Sequence, residues 1–348
     1  MTQSFKPLQV FKVYCTCHIR YISKVYSFFP VPSERIIFLK LQGDGLLMAK
    51  NFDNAINTYQ TCKSLIENDH DASSNQSQLL SKLQNNLGLA FKEKGLFEEA
   101  TAAFTSSLVT QMLVMESNGD TAMTINNLAS CHFELSNHDM AIHLFKRSLN
   151  IYESLDFTSD FSREMAKVQN NIGLCLMQKE QFSEALDNFQ KYMQTFKGGE
   201  EEGLARLLNN MAFCYSKLDQ VPKALKCYQQ AYELQVQKFG KDAANEEMAM
   251  YLHNIGNCYF RRRSSTEALE HFQSALKIRK SISGEDHPSV ANTLFSIGLV
   301  YKDIGHRRKS VENFEESLRL MKDSENPQDG LIDRIRQEIN ARRRFSIF

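Results

Sequence analysis

Small residues recur along the chain at a spacing of about 42 positions, and large apolar residues keep fixed offsets from them. The anchors are Gly43, Gly88, Ala129, Gly173, Ala212, Gly256 and Gly298, separated by 45, 41, 44, 39, 44 and 42 residues. Twelve positions after each stands a second small residue: Ala55, Ala100, Ala141, Ala185, Ala224, Ala268 and Ser310. Sixteen positions after each stands an aromatic one: Tyr59, Phe104, Phe145, Phe189, Tyr228, Phe272 and Phe314. Aromatics are 10% of the chain, so seven in seven lies far outside what composition supplies. Self-similarity at such a period marks a repeat architecture.

The offsets predict a pair of helices in each unit. A large apolar residue precedes most anchors (Leu87, Leu128, Ile172, Met211, Ile255, Ile297) and belongs to a first helix. The small anchor lets a second, antiparallel helix approach, and the small residue twelve later does the same from the facing side. The aromatic lies one turn further along the second helix and fills the space between the two. Gly95, Gly305 and Asn137 stand near the break between paired helices, and polar links at 71–77, 198–203 and 283–289 separate successive pairs. One pair cannot bury such a face alone, so neighbours must stack.

This pattern resembles the tetratricopeptide repeat, in which a large residue is followed by Leu-Gly, Tyr and then Ala-x3-Phe. Asn85-Asn86-Leu87-Gly88-Leu89-Ala90-Phe91 and Ala100-Thr101-Ala102-Ala103-Phe104 carry the resemblance. The Trp slot of the pattern holds Gln84, Ile125, Gln169, Leu208, Leu252 and Leu294. The long period and the Asn-Asn pairs are similar to the kinesin-light-chain and nephrocystin subtype. So is the link Gly284-Glu285-Asp286-His287-Pro288-Ser289-Val290-Ala291. The first repeat departs most, with Gln42 where Leu is expected. The resemblance implies an all-α, right-handed superhelical solenoid of about seven helix-turn-helix repeats over residues 36–322. Residues 1–35 read as a basic, aromatic-rich extension. Residues 323–348 read as a polar break and a C-terminal capping helix with Ile332, Ile335 and Ile339 on one stripe and a basic end.

Charge narrows the range of functions. Lys+Arg and Asp+Glu both number 41, so there is no global basic field for nucleic acid. Seven cations face two anions over residues 1–50, 17 face 26 over 51–252, and 17 face 13 over 253–348. Fifteen Gly and six Pro are too few for collagen-like or linker-rich chains. No window nears the ~18 uninterrupted apolar residues of a membrane span. Between Met1 and Ser33 there is no acidic residue, yet neither a secretion signal nor an Arg- and Ser-rich mitochondrial presequence is evident. The expected place is the cytoplasm, with cytoskeleton or cilium as the alternative.

The candidate chemistry is thin. Cys131, Cys175, Cys214 and Cys258 each stand two residues after an anchor and read as small buried hydrophobes. Equivalent slots in stacked pairs are ~8–10 Å apart, too far for disulfides. Cys15-Thr16-Cys17-His18 lacks the second ligand pair of a structural zinc site. His132, His138 and His143 do not share one helical face. No phosphate-binding Gly loop, serine elbow or metalloprotease motif is present. The expectation is a protein without catalytic activity, cofactor or metal.

The resemblance also implies where partners bind, because first helices line the concave face of such solenoids. Two before the anchor stand Asn86, Asn127, Asn171, Asn210 and Asn254, a ladder of amides able to hold the backbone of an extended peptide. The same amides could instead fix the stacking of repeats. Beside the ladder, Lys82, Lys167, Arg206, Lys92, Lys217 and Arg261 would favour acidic segments, and Phe133, Phe213 and Phe260 would anchor a side chain. The function expected is a protein-interaction adaptor for extended, acidic peptide segments. Two other readings stay open: a structural subunit of a cytoskeletal, ciliary or transport complex bound through the convex face and ends, and a regulator that binds a small ligand.

Overall fold

The structure, a computed structural model, describes residues 32–68, 74–114, 118–155, 161–195, 201–240, 243–322 and 329–344. Fifteen α-helices make up nearly all of these residues, and no strand occurs among them. The extension before residue 32, with its Cys-Thr-Cys-His run, and residues 345–348 lie outside the described residues. The chain divides into two compact units, Met1–Lys179 and Glu180–Phe348. The first holds α1 (Pro32–Met48), α2 (Phe52–Glu67), α3 (Ser74–Glu93), α4 (Phe97–Val114), α5 (Gly119–Glu134), α6 (His138–Leu155) and α7 (Ser162–Gln178). The second holds α8 (Phe182–Thr195), α9 (Glu201–Lys217), α10 (Val221–Phe239), α11 (Glu246–Arg261), α12 (Ser265–Ser283), α13 (Pro288–Asp303), α14 (Arg307–Lys322) and α15 (Asp329–Arg344). Within each unit successive helices are neighbours in space, so the fold is the all-α stack of hairpins that the repeat predicts.

One turn serves every hairpin. Seven residues after each anchor the backbone is left-handed, at Lys50, Gly95, Ser136, Glu180, Asp219, Arg263 and Gly305. At six of these turns the next N–H reaches back to a carbonyl of the last helical turn, as from Asn51 to Leu46 (2.9 Å) and from His306 to Tyr301 (2.9 Å). That bond satisfies a helix-end carbonyl which would otherwise need water. Gly95 and Gly305 take this conformation without a side-chain clash, whereas the five other residues bear a cost of roughly 1 kcal/mol each. The turn near Asn137 uses Ser136 as its left-handed residue.

The seam between paired helices explains the spacing of twelve and sixteen. A Cβ on Gly88 would stand 2.7 Å from the Phe104 ring, one on Gly256 2.8 Å from Phe272, and one on Gly298 2.6 Å from Phe314. At these glycine anchors the ring lies directly on the backbone, whereas Ala129 and Ala212 hold the same slot with a single methyl group. All seven repeat aromatics are buried, each removing enough apolar surface from water to stabilise the fold by about 1.5–3 kcal/mol. A second column of contacts crosses the same seam. Cys62, Ser107, Ser148 and Ser317 donate to the carbonyls of Ile36, Ser81, Ala122 and Ala291, with hydroxyl bonds of 2.7–2.8 Å. These buried polar groups are thereby satisfied.

Between hairpins the junctions are partly ionic. Lys94 pairs with Asp53, Lys179 with Asp139, Arg261 with Asp219 and Arg263 with Asp303, all at the edge where the turns lie. Exposed pairs of this kind are worth at most about 1 kcal/mol. First helices are capped by their links: the Asn118 carboxamide accepts from Thr121 N–H, that of Asn245 from Glu247 and Met248, and His287 Nδ1 from Ser289, with Pro288 in the first turn. In the second unit, α15 buries Ile332, Ile335 and Ile339 against Phe295, Phe314 and Met321, while Asp333, Arg334, Arg336 and Gln337 face solvent. Lys302 bonds Glu338 at 2.9 Å, which fastens this last helix to α13.

Candidate functional site on the wall of first helices

First helices of adjacent hairpins approach one another directly: α1 and α3, α3 and α5, α5 and α7 in the first unit, α11 and α13 in the second. Within either unit no two described second helices come as close. The first helices are therefore the inner set of each unit, and their side chains that avoid the seam form a wall. The candidate residues lie on these helices.

The amide ladder is not uniform. Asn86 Nδ2 donates to Asp44 Oδ1 (2.8 Å), and the same carboxylate accepts from Tyr59 (2.8 Å) and from Lys40 (2.5 Å). The buried Tyr59 hydroxyl is pushed well above its ordinary range by burial and then by this carboxylate. Asn171 Nδ2 points at Asn126 Oδ1 at 3.4 Å, joining two repeats. Asn127 is buried, Asn210 and Asn254 are half-buried, and these three make no side-chain hydrogen bond among the described residues. Part of the ladder thus stitches repeats together, Asn127 is buried, and Asn210 and Asn254 stay half-buried without such a bond.

The cations divide in the same way. Arg261 spends its guanidinium on Ser216, at 2.9 Å to the carbonyl and 2.7 Å to the hydroxyl, and on Asp219 at 2.6 Å. Lys82 stands 4.0 Å from Asp120. Lys167 and Arg206 are exposed and Lys92 is half-buried. Lys217 Nζ sits 5.3 Å from the centre of the Phe213 ring, close enough for cation–π attraction. Phe213 is 38% exposed on the wall and meets Phe182 edge-on at 6.0 Å. Phe133 is half-buried beside His138, and Phe260 packs onto the cluster of Phe272, Ile297 and Val300.

The column of thiols on the first helices is buried among apolar groups. Burial pushes the Cys131 and Cys258 thiols up to about 11 and those of Cys175 and Cys214 up to about 12, so no thiolate forms near neutrality. Among the described residues no cluster of His, Cys, Asp and Glu is arranged to hold a metal ion. No described helix is long and apolar enough to cross a membrane.

The tetratricopeptide repeat family matches residues 79–154, 164–244 and 247–323, more than half of the chain. The chain belongs to the tetratricopeptide repeat family. Solved structures agree on the fold. The apo form of RapI is 17% identical with a TM-score of 0.66, over 90% of this chain and 85% of that one. The apo form of the quorum sensor NprR from B. thuringiensis is 14% identical with a TM-score of 0.58, over 96% and 93%. The TPR-like repeats of a kinesin-light-chain candidate from Podosopora anserina are 16% identical with a TM-score of 0.51, over 60% and 97%. No curated protein matches the sequence. Tetratricopeptide repeats are protein-interaction modules, which makes protein binding the general function of this chain.

Two residues of this tetratricopeptide wall escape a reading by repeats. Asp44, one position after the first anchor, gathers Lys40, Tyr59 and Asn86; only the three-dimensional neighbourhood of Asn86 reveals it. His253 occupies the slot that holds Asn85, Asn126, Asn170 and Asn209 in earlier repeats. Its ring lies 5.2 Å from Phe272, its Nδ1 has no partner, and burial followed by nearby Arg279 lowers its pKa to about 4. The break in the Asn-Asn series was the available signal.

Proposed function

We propose that this protein is a non-enzymatic adaptor that binds extended, acidic peptide segments along the wall of first helices, in the manner of the kinesin-light-chain and nephrocystin subtype with repeats of about 42 residues. The tetratricopeptide solenoid would span residues 36–322, preceded by the extension 1–35 and closed by residues 323–348, and the compartment would be the cytoplasm. The observation that carries this reading is the coincidence, on the first helices of the second unit, of half-buried amides not spent on the fold with cations and an exposed ring. These are Asn210, Asn254, Arg206 and the Phe213–Lys217 pair; in the first unit the exposed cation on a first helix is Lys167. An open amide gives a peptide backbone one donor and one acceptor. A cation beside it favours a carboxylate, and a half-exposed ring is the kind of anchor that dominates interfaces.

The test is fluorescence anisotropy with a labelled, Glu- and Asp-rich peptide that carries one large apolar residue. Lys167→Glu with Arg206→Glu is expected to abolish binding while the helical circular-dichroism signal stays unchanged. Binding retained by that double variant would discard the groove reading.

A further inference from the structure

We propose that the turn edge of the second unit docks on an anionic lipid surface. Three turns in a row build this edge. Between α9 and α10, α11 and α12, and α13 and α14, the chain reverses through left-handed Asp219, Arg263 and Gly305. Side chains lace these turns to one another. Arg261 of the middle turn bonds the Ser216 carbonyl and Asp219 of the first, while Arg263 and Ser265 bond Asp303 of the third. The three turns therefore lie side by side, at the ~10 Å spacing of helices packed in a row.

Charge separates this edge from its counterpart in the first unit. Residues 216–226, 260–270 and 302–312 carry ten cations against five carboxylates. The matching stretches 47–57, 92–102 and 133–143 carry three against six. Arg261, Arg263 and Arg308 pair with carboxylates of the edge itself, and Lys302 with Glu338 of α15. Surface pairs of this kind are weak, so the excess of cations still sets the local field. Lys226, Arg262 and Arg307 are exposed along it.

Apolar side chains stand among these charges. The slot just before the left-handed residue is exposed in all three turns: Leu218 at 37%, Arg262, and Ile304 at 41%. In the first unit the same slot holds Ala49, Lys94 and Leu135, and its one large apolar residue, Leu135, is half-buried. The alternation of Leu218, Arg262 and Ile304 selects the partner. The two apolar tips are two turns apart, ~20 Å, with a cation between them. A nucleic acid offers phosphates but nothing to receive aliphatic tips, and a folded acidic protein would need two separate apolar pockets in a negative face. A lipid layer presents anionic headgroups to the cations and, just beneath, apolar depth to each tip. Cytoplasmic leaflets carry such lipid.

Co-sedimentation of the full chain with phosphatidylcholine vesicles, made with and without phosphatidylserine, tests the proposal. Binding is expected only where phosphatidylserine is present, and is expected to weaken as salt rises. Arg262→Glu with Arg307→Glu should weaken it by roughly tenfold or more, with circular dichroism unchanged. Leu218→Ser with Ile304→Ser should weaken it severalfold without altering its salt dependence. Two controls should bind as the unaltered protein does: Lys50→Glu, on the first unit's edge, and Lys167→Glu with Arg206→Glu, on the wall, so this outcome is read independently of peptide binding. Equal binding to both kinds of vesicle, or to neither, would overturn the proposal, as would binding that survives the Arg262 and Arg307 reversals or ignores the loss of both apolar tips. Vesicles left unbound, together with capture of a Glu-rich peptide or a DNA duplex that the Arg262 and Arg307 reversals abolish, would assign the edge to that partner instead.

Discussion

Along the seam, one position holds seven aromatic rings and another seven small residues, and no ring is more than 4% exposed. Along the wall, one position holds Lys82, Met123, Lys167, Arg206, Met250 and Asn292, and its neighbours range from buried Asn127 to open Phe213. Both regions repeat with the same period, yet only the seam repeats in chemistry. Close packing explains the difference. A ring resting on an anchor backbone leaves room only for Gly or Ala beneath it, because interiors are as dense as organic crystals. The wall faces solvent for much of its area, so each repeat tolerates its own residue and the set becomes specific to a partner.

The comparison is sharpest where the seam is emptied. Phe104→Ala should cost about 3–5 kcal/mol, from lost burial and the cavity left behind. Chemical denaturation would then show a lower midpoint or a separate early transition, since hairpins of a stack depend mainly on their neighbours. Lys167→Ala on the wall should leave the same curve unmoved, and a loss of similar size at both sites would break the distinction.

A smaller effect is expected where wall and seam meet. Folded His253 takes up its proton only near pH 4, whereas in the unfolded chain it does so near 6.5. Between those values the unfolded state binds more protons, so His253 contributes full stability above about pH 6.5 and progressively less as the pH falls towards 4. The loss is on the order of 3 kcal/mol. His253→Gln should flatten that part of a stability–pH profile measured against the unaltered protein. A profile of unchanged slope would show that the ring does not titrate as its surroundings imply.

The smallest effect concerns the turns, which belong to neither region. Ser136→Gly relieves a left-handed backbone strained by a side chain and should stabilise the first unit by about 1 kcal/mol, less the extra chain entropy of glycine. The rise would be read as a higher melting midpoint. The same change tests whether the turn is set by the closing hydrogen bond, present in six of the hairpins, and not by residue type.

Legibility followed packing density. The helices, the seam and the thiol column at Cys131, Cys175, Cys214 and Cys258 were readable because burial imposes residue type at a fixed period, and repetition multiplies a weak signal seven times. The fate of the amides was not readable. Asn86 and Asn127 occupy one slot of successive repeats, but the first bonds Asp44 while the second makes no such bond. A one-residue difference in a neighbouring helix separates the two, and sequence period averages over such differences. Arg261 is similar: the repeat places it beside the wall, and the fold turns its guanidinium to Ser216 and Asp219.

What the amino-acid order determined by itself was the hairpin, its length and the family, since each follows from which residues must be hidden and how far apart they stand. Tertiary structure alone decided which polar groups bond within the protein and which stay available. That choice depends on distances of 2.6–3.4 Å between side chains about forty residues apart. Hydrogen bonds weaken steeply with small changes in distance and angle, so only the placed atoms settle it.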